Sequence, residues 1–81
     1  MSSPQYLNLK EAQNILAIIG IEFSERQIKR SAELNAHGLR KLPYFIDPID
    51  GRLKIEKNIL LEIYAKAQTE AKDTAINKLE L

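Results

Sequence analysis

Two helix-forming segments that lie only four residues apart constrain the fold of this chain more than any other feature. Asn8 with Glu11, and Ser24 with Gln27, have the spacing of a capping box, in which each side chain bonds the backbone N–H of the other residue at a helix start. A helix-turn-helix has this short separation, and its second helix lies across the first. The predicted helices span residues 9–19 and 25–36.

The two predicted helices differ in how much apolar surface they offer. Apolar residues of the first recur at the spacing of one helical face: Ala12, Ile15, Leu16 and Ile19. The second has only a thin apolar stripe: Ile28, Ala32 and Ala36, with Leu34 as an alternative. Each segment is followed by a glycine that suits the left-handed position after a helix, Gly20 and Gly38. The second helix is therefore predicted to pack on one side and to leave the other free.

Residues 43–55 have the pattern of a β-hairpin. The run Tyr44-Phe45-Ile46 favours a strand, and Arg52-Leu53-Lys54-Ile55 alternates polar and apolar residues as a half-buried strand does. Between them, Asp47-Pro48-Ile49-Asp50-Gly51 is dense in turn residues, and Gly51 suits a positive φ at the tip. A hairpin that follows a helix-turn-helix is a wing.

The rest of the chain, residues 56–79, contains no helix breaker and is predicted to be one helix. Its first half should pack on the domain, and its alanine-rich second half should project. The projecting half either pairs with the same helix of a second subunit or forms a frayed, solvated tail. The residues at near-heptad spacing are Leu60, Ile63, Ala67, Ala71 and Ala75.

The predicted fold class is mainly α with a small β-hairpin: a winged helix-turn-helix followed by a long C-terminal helix. Residues 1–81 form one domain, and residues 1–6 form a flexible arm.

Composition argues against catalysis. The chain has no cysteine, and its single histidine, His37, has no second histidine with which to hold a metal. At the end of the second predicted helix, His37 is expected to complement the helix dipole. The three glycines match no phosphate-binding loop. We expect no enzyme, no catalytic residue, no metal and no cofactor.

Positive charge is concentrated in the middle of the chain. Residues 24–54 carry seven basic and four acidic residues, a net charge of +3, whereas the flanking segments each carry −1. A basic stripe on a helix-turn-helix and its wing is typical of a DNA-binding domain. Arginine can bond guanine bidentately and glutamine can bond adenine, whereas lysine more often contacts phosphates. The candidate DNA-binding residues are Arg26, Gln27, Lys29, Arg30, Arg40, Lys41, Arg52 and Lys54.

These motifs resemble the MerR-like and excisionase-like winged helices over about residues 6–62. The residues that carry the resemblance are Tyr6-Leu7-x-x-Lys10-Glu11-Ala12, Ser24-x-Arg26-x-Ile28-x-Arg30, Leu42-Pro43-Tyr44, Asp50-Gly51-Arg52-Leu53-x-Ile55 and Leu60-Leu61. The resemblance implies a second helix in the major groove, which falls on Arg26, Gln27, Lys29 and Arg30. It also implies a wing on the backbone or minor groove, which falls on Arg52 and Lys54.

The expected function is sequence-specific binding of double-stranded DNA. The role would be that of a transcriptional regulator or of an excisionase, partition or replication accessory factor of a mobile genetic element. Expected partners besides DNA are a second copy of the chain and a recombinase or other protein of the same element. The alternative is a protein-interaction adaptor that uses the winged helix as a scaffold and docks through its C-terminal helix.

The expected location is the cytoplasm, with association to the nucleoid when DNA is bound. The first residues lack the pattern of a signal peptide, and the longest apolar run, residues 16–19, is far too short to cross a membrane. No membrane partner is expected.

Overall fold

The computed structural model describes residues 3–79, with side chains as far as residue 75. Its elements in chain order are β1 (Tyr6–Leu7), α1 (Leu9–Ile18), α2 (Glu25–Ser31), β2 (Phe45–Ile46), β3 (Leu53–Glu56) and α3 (Lys57–Leu79). Within these residues roughly half of the chain is helical, and the strands form a small antiparallel sheet in the order β1-β3-β2. The expectations for Met1 and Ser2 in the arm lie outside the described residues.

Helix α1 begins at its predicted capping box. The backbone N–H of Glu11 donates to Asn8 Oδ1 at 2.8 Å, and that of Asn8 donates to Glu11 Oε1 at 3.0 Å. Ala12 and Leu16 are fully buried, as their spacing predicts. The helix ends at Ile18, and Gly20 takes the positive φ expected of it, +91°.

The connector between α1 and α2 is fixed at both of its ends. The backbone N–H of Ile21 donates to the carbonyl oxygen of Leu16 at 2.8 Å, and Gln13 Nε2 donates to that of Phe23 at 2.7 Å. Helix α2 then starts at the second predicted capping box, where Ser24 is the N-cap. This arrangement sets the position of α2 against α1.

Helix α2 is shorter than the sequence predicts. It ends at Ser31 instead of Ala36, and Leu34 and Ala36 are exposed and belong to no helical face. The prediction that His37 complements the dipole at the end of this helix is therefore wrong. Its backbone N–H instead donates to Asn35 Oδ1 within a loop.

Asn35 organises the loop that follows α2. Its side-chain oxygen accepts hydrogen bonds from the backbone N–H groups of His37 and Leu39, at 2.8 and 3.1 Å. An asparagine that bonds nearby backbone offers the chain an alternative to the helix. The backbone N–H of Leu42 then donates to the carbonyl oxygen of Ser31, which the truncated helix leaves without an intrahelical partner.

The predicted hairpin is present, with a third strand beside it. In β2 and β3, Phe45 faces Lys54 and Ile46 faces Leu53. The sequence prediction missed β1, in which Leu7 pairs with Ile55 on the other side of β3. Residue 6 therefore belongs to the sheet and not to a flexible arm.

One hydrophobic core joins the sheet to the helices. Its buried residues come from all three helices, from β1 and β3, and from the segments that follow α2 and precede β2: Leu7, Ala12, Leu16, Ile28, Ala32, Leu42, Tyr44, Ile55 and Leu60. Helix α3 contributes Leu60, with Ile63 and Tyr64 packed against the core, whereas residues 65–75 are exposed. The side chains of Ile76 and Leu79 lie outside the described part. No helix among the described residues has the length and apolarity that a membrane crossing requires.

Candidate nucleic-acid interface

The basic flank of α2 faces solvent. Ile28 is buried, and residues two positions away on a helix are rotated by about 200° from it, so Arg26 and Arg30 lie on the opposite side. Both are exposed, as is Lys29 beside them. The ion pairs in the described part of the chain both involve Lys54 and leave these three cations unpaired.

Lys10 extends this flank toward the hairpin. Lys29 and Lys10 line one hollow of about 270 Å³, together with Glu25. Lys10 and Arg52 line a second hollow of about 380 Å³ at the start of β3. Lys29, Lys10 and Arg52 thus form a row, which we call the basic ridge.

Sequence reasoning missed Lys10, because a count of charges placed it in a segment with a net charge of −1. The available signal was its position in the first turn of α1, two residues after the N-cap Asn8. Arg52, in contrast, was predicted, and it is exposed as expected for a residue that contacts a partner.

Arg30 and Lys41 meet on the other side of α2. They line a hollow of about 330 Å³ together with Gln27 and Tyr64. Burial raises the pKa of the Tyr64 hydroxyl, which therefore remains a neutral hydrogen-bond donor. Two cations and a hydroxyl can hold an anionic oxygen such as that of a phosphate.

Gln27 is committed to the cap of α2. Its Oε1 accepts the backbone N–H of Ser24 at 2.9 Å, and its own backbone N–H donates to Ser24 Oγ at 3.1 Å. Bidentate bonding of adenine needs both the oxygen and the nitrogen of a glutamine amide. Oε1 keeps a second lone pair, but the bond to Ser24 holds the amide at the start of the helix, so Gln27 would have to share this oxygen or leave the capping box to bond adenine bidentately.

Arg40 also has a structural task. It is half-buried, and its Nε donates to the carbonyl oxygen of Ala32 at 2.8 Å, just beyond the end of α2. The sequence prediction treated Arg40 and Lys41 alike, but only Lys41 is fully exposed. Arg40 therefore closes the C-terminal end of α2.

Lys54 lies on the hairpin among acidic residues. Its Nζ is 3.3 Å from Asp50 Oδ2 and 3.6 Å from Asp47 Oδ2, and its side chain is half-buried. The backbone N–H of Arg52 and then Lys54 lower the pKa of Asp50, and Asp50 in turn raises the pKa of Lys54. This one positive charge is shared between two carboxylates, which its assignment as a DNA contact did not anticipate.

Five of the eight predicted residues therefore remain exposed and free of side-chain partners within residues 3–75: Arg26, Lys29, Arg30, Lys41 and Arg52. Comparison with protein-family models, curated protein sequences and solved structures finds no significant match to the chain.

Proposed function

We propose that this chain is a winged helix-turn-helix module that binds double-stranded DNA in a sequence-specific manner. Helix α2 would lie in the major groove, and the hairpin of β2 and β3 would be the wing. The observation that carries the proposal is the group of exposed cations on α2, α1 and the hairpin, which Glu25 interrupts beside Lys29. It consists of Arg26, Lys29, Arg30, Lys10 and Arg52.

Arg26 and Arg30 are the proposed base readers. They project from the side of α2 opposite the core, and arginine can donate two parallel hydrogen bonds to guanine O6 and N7. An α-helix with its side chains is about 10–12 Å across, which fits a major groove about 12 Å wide. The side of the helix that faces the core stays outside the groove.

The other free cations are the proposed phosphate contacts. The basic ridge lies to one side of the arginine pair, and Lys41 lies to the other, where it shares a hollow with Arg30. A helix in the major groove is flanked by the two phosphate backbones. Cations on both sides of α2 therefore fit a duplex better than a single anionic ligand.

Fluorescence anisotropy on a labelled duplex tests the proposal. Each phosphate neutralised makes log K fall by about 0.9 per tenfold rise in salt, so binding by the wild-type protein should weaken steeply with salt. Arg26→Ala with Arg30→Ala should lower affinity about tenfold or more, because each arginine accounts for roughly 1–3 kcal/mol of binding.

The matched control is Lys66→Ala with Lys72→Ala, which removes the same charge from the exposed part of α3. This variant should bind almost as the wild type does. Equal losses in the two double variants, or a wild-type protein that does not bind duplex DNA at low salt, would contradict the proposal.

The contacts with DNA do not distinguish between the biological roles proposed for this chain. A transcriptional regulator and an excisionase, partition or replication accessory factor of a mobile element all use the same contacts with DNA. Selection of bound sequences from a random pool distinguishes one half-site from a symmetric pair, and so also reports whether two copies bind together.

The second candidate is an adaptor that docks through α3. The observation that favours it is the exposed segment of residues 65–75, where Ala67, Ala71 and Ala75 lie on one side of the helix. This candidate is favoured if the wild-type protein binds neither heparin nor duplex DNA at low salt. It should then self-associate in sedimentation or form a defined complex with a protein of its own element.

A further inference from the structure

The tip of the hairpin presents an isolated apolar side chain. Ile49 is 94% exposed, more than any other large hydrophobic residue in the described part of the chain, and it follows Pro48 in the turn between β2 and β3. Single apolar residues on a surface are common. Ile49 differs from most of these because the turn that carries it is held by hydrogen bonds.

Hydrogen bonds fix the backbone on both sides of Ile49. The side chain of Asp47 accepts the N–H of Ile49 at 2.8 Å, and the carbonyl oxygen of Asp47 accepts the N–H of Gly51 at 2.9 Å. Asp50 Oδ1 accepts the N–H of Arg52 at 2.8 Å. A side chain held out on an ordered turn loses little conformational freedom when it enters a binding site.

The charge of the tip suits a polyanion better than its acidic residues suggest. Asp47 and Asp50 alone would be repelled by phosphates, but Lys54 lies within 3.6 Å of both carboxylates. Lys54 offsets one of the two negative charges and the exposed Arg52 offsets the other, so the tip as a whole is neutral and does not repel a polyanion. An arginine beside an apolar wedge is a combination that the minor groove of DNA accepts.

A protein pocket is a poorer occupant for this tip. Stable protein interfaces bury roughly 1,000 Å² or more, which one isoleucine and one proline cannot supply. As an addition to a DNA interface made by α2 and the basic ridge, the tip does not have to supply the affinity. Its place beside Arg52, at the end of that ridge, connects it to the same surface.

The geometry points to Ile49 as a wedge that enters the minor groove next to the site of α2, partly separates two stacked base pairs and bends the duplex. This inference rests on the proposed function. Pro48 and the Asp47–Lys54–Asp50 cluster hold the wedge in place, and Arg52 contacts the groove beside it.

The test compares Ile49→Ala with the wild type on a duplex selected from a random pool by the wild-type protein. Bending is measured by energy transfer between dyes at the two duplex ends, and unstacking by the fluorescence of 2-aminopurine near the site. Ile49→Ala should abolish most of the bend and the unstacking signal. Its affinity should fall only about threefold to tenfold, because the cost of unstacking offsets part of the gain from burial.

Two comparisons make the result specific. Ile18→Ala removes another highly exposed isoleucine, at the end of α1, and should leave the bend unchanged. The salt dependence of Ile49→Ala should equal that of the wild type, since the wedge neutralises no phosphate. A bend that survives in Ile49→Ala, or a wild-type complex with a straight duplex, overturns the wedge while DNA binding stands. A wild-type protein that selects no duplex overturns both.

Discussion

Arg40 Nε donates a hydrogen bond to the carbonyl oxygen of Ala32 at 2.8 Å and so closes the end of α2 from across a loop. Arg40→Met keeps much of the aliphatic stem and removes this bond. We expect the variant to lose about 1–2 kcal/mol of unfolding free energy, measured by urea denaturation. Its affinity for DNA should change less than that of Arg30→Ala. A large loss of affinity with unchanged stability would instead make Arg40 a direct DNA contact.

Gln27 and Ser24 should act as one structural unit. Gln27→Ala and Ser24→Ala each break the capping box of α2 and should each cost about 0.5–2 kcal/mol of stability. The double variant should lose less than the sum, because both changes remove the same pair of hydrogen bonds. Thermal unfolding of the four proteins measures this coupling.

The same variants decide whether Gln27 reads a base. Gln27→Ala should preserve the order of preference among selected DNA sequences, although α2 is less stable. A preference for adenine that disappears at one position in Gln27→Ala, and persists in Ser24→Ala, would show that Gln27 leaves its cap when DNA binds.

Lys54 should support DNA binding without touching a phosphate. Lys54→Met exposes the uncompensated charges of Asp47 and Asp50 at the hairpin tip, so affinity should fall several-fold. Adding Asp47→Asn and Asp50→Asn should restore most of it. If the triple variant stays weak and its salt slope is lower by about 0.9, Lys54 neutralises a phosphate directly.

Tyr44 should tolerate the loss of its hydroxyl. The ring is buried in the core, and its oxygen makes no well-formed hydrogen bond within the described residues, because the nearby Ser31 hydroxyl donates to the carbonyl oxygen of Ile28 instead. Tyr44→Phe should therefore keep or raise the stability, by up to about 1 kcal/mol, whereas Tyr44→Ala should cost about 3–5 kcal/mol by opening a cavity. Urea denaturation at neutral pH distinguishes the two.

Tyr44→Phe should also change how the free energy of unfolding depends on pH in the alkaline range. Burial raises the pKa of Tyr44, so above about pH 10 the unfolded chain loses this proton before the folded chain does. The contribution is fully present below that pH and is lost as the pH rises through the folded-state pKa. Stability should thus fall less steeply above pH ~10 in Tyr44→Phe than in the wild type. Equal slopes would mean that Tyr44 does not cause the loss.

Lys10 should contribute one phosphate contact. Lys10→Ala should reduce the salt slope of DNA binding by about 0.9, because one fewer counterion is released. The control is Lys66→Ala, which removes an exposed lysine from α3 and should leave the salt slope unchanged. A Lys10→Ala slope equal to that of the wild type would remove Lys10 from the basic ridge.

Features set by neighbouring residues were predictable from the sequence. The capping boxes at Asn8 and Ser24 close within three residues, and the positive φ of Gly51 belongs to a single turn. The exposure of Arg26 and Arg30 follows from the helical period once Ile28 is placed in the core.

Features set by distant residues were not predictable in this way. The end of α2 depends on Arg40 and Leu42, which return to it across a loop. Strand β1 has only two residues, too few for a periodic pattern, and it exists because it pairs with β3 almost 50 positions away. The charge of Lys54 is visible in the sequence, but its two carboxylate partners become evident only when the turn is folded.

The central claim is that one face of the molecule, made by α2, the start of α1 and the hairpin tip, binds the duplex. Titration of ¹⁵N-labelled protein with a selected duplex, followed by amide chemical shifts, tests it most directly. Residues 24–30, 8–10 and 49–52 should shift most, and residues 65–75 should shift little. Shifts confined to residues 65–75, with α2 unaffected, would contradict the account.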